Sequence, residues 1–139
     1  MILKAGNLLY NAPWQRYETF LNFDDHKVKI TAEYEKEGDQ QTVNQEISDK
    51  LLHLLNLNEQ ILTYCASQYL DTKNEAWLED GETPVDDVKF KKALHLYQVD
   101  FHSDGEITAS YQAGNLFWGH VIVVVLNSDY SFKYATLEG

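Results

Sequence analysis

The chain has 139 residues, an apolar fraction of 44% with 13% aromatics, and 22 acidic against 11 basic side chains, for a formal charge of −11. That is enough chain to bury one core without disulfides, and it is too apolar to stay disordered. It is also too acidic to favour nucleic acid or an anionic membrane, where Lys and Arg contacts to phosphate dominate affinity.

The N-terminal stretch MILKAGNLLYNAPW lacks the continuous apolar run of a signal peptide, because Lys4, Gly6 and Asn7 interrupt it. The longest apolar run, Val121 to Leu126, is far too short to span a bilayer. The single cysteine, Cys65, cannot form an internal disulfide, so nothing points to an oxidising compartment. The expectation is a soluble, cytoplasmic, single-domain protein over residues 1–139.

The first block reads as strands. A short piece at Asn7 to Tyr10 precedes Arg16 to Phe23, where Tyr17, Thr19 and Leu21 alternate with Glu18, Phe20 and Asn22. Val28, Ile30, Ala32 and Tyr34 then alternate with Lys29, Thr31, Glu33 and Glu35, the pattern of a strand with one wet face. Asp24-Asp25-His26 between the two is a turn, which predicts a hairpin.

The second block is helical. Thr42 followed three residues later by Gln45 predicts a capping box, and Ile47, Leu51, Leu54 and Leu55 follow at helical spacing. Asn58 is the expected cap of a second helix carrying Ile61, Leu62, Cys65, Tyr69 and Trp77 on one face. Cys65 on that face is expected to be inert packing. Thr83-Pro84 predicts the start of a third helix running to about Lys92.

The third block predicts an antiparallel meander of four strands. The turn Ser103-Asp104-Gly105 sets a register with His102 opposite Glu106, hence Phe101 opposite Ile107, Val99 opposite Ala109 and Tyr97 opposite Tyr111. Ala113-Gly114-Asn115 turns into a strand from Phe117 to Asn127, apolar enough on both faces to be covered twice. Asn127-Ser128-Asp129-Tyr130 returns the chain into Phe132 to Leu137. N-terminal antiparallel strands, central helices and a C-terminal four-stranded meander make the class α+β.

Of the five histidines, His26, His53, His95, His102 and His120, none has metal-ligand spacing to another ligand, and no metal or cofactor is expected. His95 and His102 face opposite sides of one strand unless a bulge intervenes. His53 lies away from Leu51 and Leu55 and should face solvent. His120 is the candidate that bears weight, since Gly119 allows a close backbone approach and Phe117 and Trp118 offer a partly dry setting. Pairing Leu126 with Phe132 and continuing the register places His120 opposite Glu138, a partnership suited to a general acid/base or a hydrogen-bond anchor. The plainer alternative is a clasp that closes the sheet end, because one histidine without a nucleophile is no catalytic set. An acidic stretch, Asp71, Glu75, Glu79, Asp80, Glu82, Asp86 and Asp87, lacks the order of a calcium loop and reads as a solvated face.

Four motifs carry a family resemblance: Phe90-Lys91-Lys92-Ala93-Leu94, Ser103-Asp104-Gly105, Leu116-Phe117-Trp118-Gly119-His120 and Ala135-Thr136-Leu137-Glu138-Gly139. Together they resemble a group of uncharacterised bacterial domains that end in LFxGH, an apolar strand and A-x-(Leu/Ile)-E-G. Association of such domains with toxin systems implies an immunity-like binding role. Three functional expectations result. The first is a non-enzymatic protein that binds a basic protein partner, with Trp118, His120 and Glu138 at the surface. The second is a hydrolase-like enzyme using His120 with Glu138 in a cleft at the sheet end. The third is a purely structural domain. The sequence leaves oligomeric state open, although an exposed edge strand would invite a dimer.

Overall fold

Among the described residues, seven strands in sequence order form one sheet, and three α-helices pack against one face of it. The computed structural model describes residues 8–139. Asn7 and the rest of the N-terminal segment lie outside the described residues. In chain order the strands are β1 (Leu9–Asn11), β2 (Arg16–Phe23), β3 (His26–Glu33), β4 (His95–Phe101), β5 (Ile107–Gln112), β6 (Val121–Leu126) and β7 (Phe132–Glu138). All neighbours are antiparallel except β3 and β4, which run parallel. Between these two lie α1 (Gln40–Asn56), α2 (Asn58–Ala76) and α3 (Asp87–Lys92).

The class is α+β as expected, but the expected four-stranded meander is only part of a larger sheet. A parallel pair needs a long crossover, and the helical block supplies one. The N-terminal strands therefore join the meander along the β3–β4 ladder, where Lys29 meets Gln98 and Ala32 meets Phe101.

The core lies between the sheet and the helices. Val28, Ile30 and Ala32 of β3, Val99 and Phe101 of β4, and Ile122 and Val124 of β6 are buried against Ile47, Leu51 and Leu54 of α1 and Ile61 and Cys65 of α2. Burial pushes the Cys65 thiol up to about 12, in keeping with inert packing. On β3 the intervening Lys29, Thr31 and Glu33 turn to the face away from the helices, where the buried Thr31 hydroxyl donates to Asp100 at 2.5 Å. On β6 the second half, Val124 to Leu126, is buried on both faces as expected, and only Val121 and Val123 nearer its start are half-buried.

Each predicted helix forms, and each begins elsewhere than expected. Asp39 caps α1, accepting from the Thr42 amide at 3.0 Å and its hydroxyl at 2.9 Å, which places Thr42 inside the first turn rather than at its head. Those bonds hold the Asp39 carboxyl below the usual range. A single residue, Leu57, separates α1 from α2, and its carbonyl already accepts from Ile61. Asn58 therefore stands inside α2, and its amide oxygen takes the buried Tyr111 hydroxyl at 2.7 Å. Before α3, Asn74 grips both backbone groups of Val85 at 2.8 and 2.9 Å, so the chain stays extended past Thr83-Pro84. Asp86 then caps the helix through the Lys89 amide at 2.8 Å.

Hairpin registers are as expected next to their turns and shift further out. Asp24 and Asp25, at φ 53° and 62°, make the two-residue turn that pairs Phe23 with His26. Phe101 meets Ile107 and Val99 meets Ala109, but a bulge at Tyr97 sets Tyr111 opposite Leu96 instead of Tyr97. A second bulge at Lys133 intervenes between the Leu126–Phe132 and Val125–Tyr134 pairs. An inserted residue moves every later pairing by one position.

Candidate functional site

The turn between β5 and β6 is anchored by its apolar residues. Leu116 and Phe117 are buried, and Phe117 sits edge-on to Tyr69, Trp77 and Phe90, at centroid distances of 6.1, 5.6 and 6.1 Å. The backbone then enters the left-handed region at Trp118 (φ 54°) and Gly119 (φ 92°) before β6 begins at Val121. This reversal shortens the strand expected from Phe117. It also turns the Trp118 indole outward, leaving it 55% exposed.

Trp118 is supported from beneath by Trp77, the residue that ends α2, with ring centroids 4.8 Å apart and edge-on geometry. The His120 ring packs against the same indole at 5.2 Å. A fully buried lysine fixes Trp77. Lys73 donates to the Trp77 carbonyl at 2.8 Å and to Glu82 at 3.0 Å, and Glu82 also accepts from the Glu79 amide at 2.9 Å. The Glu79 amide, followed by the Lys73 ammonium, holds the Glu82 carboxyl below its ordinary range.

The residues singled out from sequence do not all meet. His120 Nδ1 lies 2.8 Å from the Phe117 carbonyl. A carbonyl can only accept, so Nδ1 carries the proton. The ring lies over Gly139, where a Cβ would overlap it. Glu138 is not opposite His120. The Lys133 bulge places it across from Val121, and it accepts from the Thr136 hydroxyl at 2.6 Å. The acid/base pair expected at the sheet end is therefore not assembled. What stands there is an aromatic platform of Trp77, Trp118 and His120, with exposed Glu138 one position further along the sheet end.

The platform adjoins the acidic stretch. Glu75, Glu79 and Asp80 flank Trp77 in sequence, are exposed, and have no ion-pair partner among the described residues. Among the described residues only Glu82 and Asp87 of the stretch are paired, with Lys73 and Lys91. Trp77 and Lys73 were not singled out as functional from sequence. The available signal was the spacing, with Lys73 midway between Tyr69 and Trp77 on the apolar helix face, where a charged side chain must find partners.

The other histidines lie away from the platform. His53 is exposed and stacks on Tyr130 at 3.9 Å. His102 bonds Glu33 at 2.9 Å and Thr108 at 2.8 Å. A bulge does intervene between His95 and His102, yet His95 opens β4 and His102 lies just past its other end with different partners, and His95 stacks on His26 at 4.0 Å. Among the described residues no group of three or more His, Cys, Asp or Glu is placed to hold a metal ion. No helix among them is long and apolar enough to cross a membrane.

A family model for an uncharacterized protein conserved in bacteria, DUF2262, matches residues 4–137. The chain belongs to this family. The likeness carried by the C-terminal motifs thus extends over nearly all of the DUF2262 chain. No curated protein and no solved structure matches it.

Proposed function

We propose that this DUF2262 protein works by binding a basic protein in the cytoplasm, with the Trp118 platform as the anchor and the carboxylates of Glu75, Glu79 and Asp80 as its rim. The observation that carries this reading is Trp118 itself, a large apolar side chain held out in solvent by left-handed backbone. Bulky residues seldom adopt that conformation, and strain of this kind concentrates at functional sites. Tryptophan is the residue type most enriched at interface hot spots, and its face attracts Arg and Lys by about 0.5–2 kcal/mol. A formal charge of −11 favours approach of a cationic surface. The immunity-like role implied by the sequence resemblance has the same chemistry. The hydrolase-like reading lacks the His120–Glu138 pair on which it depended.

Affinity capture from bacterial lysate, run in parallel with the wild-type chain and Trp118→Ala, tests this. A basic protein should be retained by the wild type, released as salt approaches ~1 M, where screening acts within about 3 Å, and bound at least ~10-fold less by the variant. Recovery of no basic protein, or equal retention by Trp118→Ala, would overturn the proposal.

A further inference from the structure

A cleft lies at the same end of the sheet as the Trp118 platform, where β3 and β4 begin. It encloses about 380 Å³ between the β2–β3 turn, the start of α2, and α3. That volume is in the range of small-molecule sites. Leu62, Leu94 and Leu96 form its floor, and Val88 stands exposed beside it.

Its polar groups have unused capacity. His26 and His95 stack face to face with centroids 4.0 Å apart, and none of their four ring nitrogens has a hydrogen-bond partner among the described residues. Asp24 and Glu59 also line the cleft and make no ion pair among the described residues. Asp87 is different, because Lys91 already occupies it at 3.0 Å.

These groups discriminate among ligand classes. A metal ion needs ligand lone pairs that converge on one point, and two imidazoles stacked with their planes 29° apart direct theirs side by side. An anion would meet two unpaired carboxylates, with Lys92 the only lining lysine not already committed to a carboxylate. A purely apolar ligand would fill the floor and leave Asp24 and Glu59 without a role. A cation with an apolar body uses every part except Lys92, whose side chain is exposed. Its ammonium is opposed by Asp24 and Glu59, its N–H groups can be accepted by neutral imidazole nitrogens, and its body covers the leucine floor.

We propose that the cleft binds a small organic cation, an aromatic or aliphatic body carrying a protonated amine. This inference is independent of the Trp118 platform. The probe is 2-phenylethylamine, followed through the imidazole carbon-bound proton resonances of His26 and His95, with 3-phenylpropionate as the anionic counterpart. Saturable shifts of both histidines are expected with the amine and not with the carboxylate. Affinity should fall at least ~10-fold in Asp24→Asn/Glu59→Gln and stay unchanged in Trp118→Ala. Asn tolerates the positive φ at position 24, so this double variant should keep the turn intact. The proposal is overturned by an absence of saturable shifts, by equal shifts with 3-phenylpropionate, or by amine binding that survives the double substitution.

Discussion

At position 118 the backbone angle and the side chain pull in opposite directions. A left-handed residue with a Cβ costs roughly 1–2 kcal/mol, which glycine does not incur. Keeping tryptophan at φ 54° therefore trades stability for an outward indole. Trp118→Gly should unfold at higher urea than Trp118→Ala by about 1 kcal/mol, while showing the same loss of the basic partner. If the alanine variant is the more stable of the two, the strain is not where the geometry puts it. The sequence points to this turn through Phe117-Trp118-Gly119-His120, but it draws attention to the histidine. The imidazole was the residue with evident chemistry, whereas a positive φ at a tryptophan has no compositional signature. His26 and His95 were harder still to find. They meet only because the parallel ladder that sets Lys29 beside Gln98 also brings the starts of both strands together.

The C-terminal end of α2 is governed by one buried cation. Lys73 ties Trp77 to Glu82, so the helix end, the aromatic platform and the following loop share a single fastening. A folded-state pKa held below the unfolded value contributes stability above the unfolded pKa, here near 4.5, and that contribution is lost as pH falls through the folded value. Glu82→Gln should therefore be less stable than the wild type at pH 7, with the gap closing as pH drops below the ordinary carboxylate range. Urea titrations at stepped pH would show it, and a gap that stays constant would separate Glu82 from the fastening. Helix existence was legible at this scale because Ile47, Leu51, Leu54, Ile61 and Cys65 keep a 3.6-residue period. Helix starts were not, since Asp39 and Asp86 cap through amides three residues on, and Thr42 and Thr83 nearby are also of a type that caps helices.

Across the whole sheet, the alternation of apolar residues disclosed the strands, and turn residues disclosed each hairpin near its loop. Two bulges carried the rest out of reach, because an extra residue at Tyr97 or Lys133 leaves no mark in an alternating pattern. Deleting Lys133 would remove the extra residue and leave the pairings on both sides of it in place, with Tyr134 still opposite Val125 and Leu137 opposite Ile122. That deletion should therefore cost less than about 1 kcal/mol in urea unfolding. A loss of about 3 kcal/mol or more would mean that the bulged residue is needed to hold the strand in this register. The parallel partnership of β3 and β4 was equally invisible, since the two blocks of strands read as separate groups with helices between them.

That partnership also orders how the molecule is assembled. Hairpin β2–β3 and the meander β4–β7 close over short loops, whereas the β3–β4 ladder must wait for the entire helical segment to be drawn in, an entropic cost that nearby contacts do not offset. Until it closes, β3 and β4 are two open edges, each beside an apolar face intended for the helices. The vulnerable species during synthesis is therefore a pair of half-sheets able to recruit strands from other chains. The charge of −11, whatever it does for partners once folding is complete, keeps such half-sheets apart until the seam is joined.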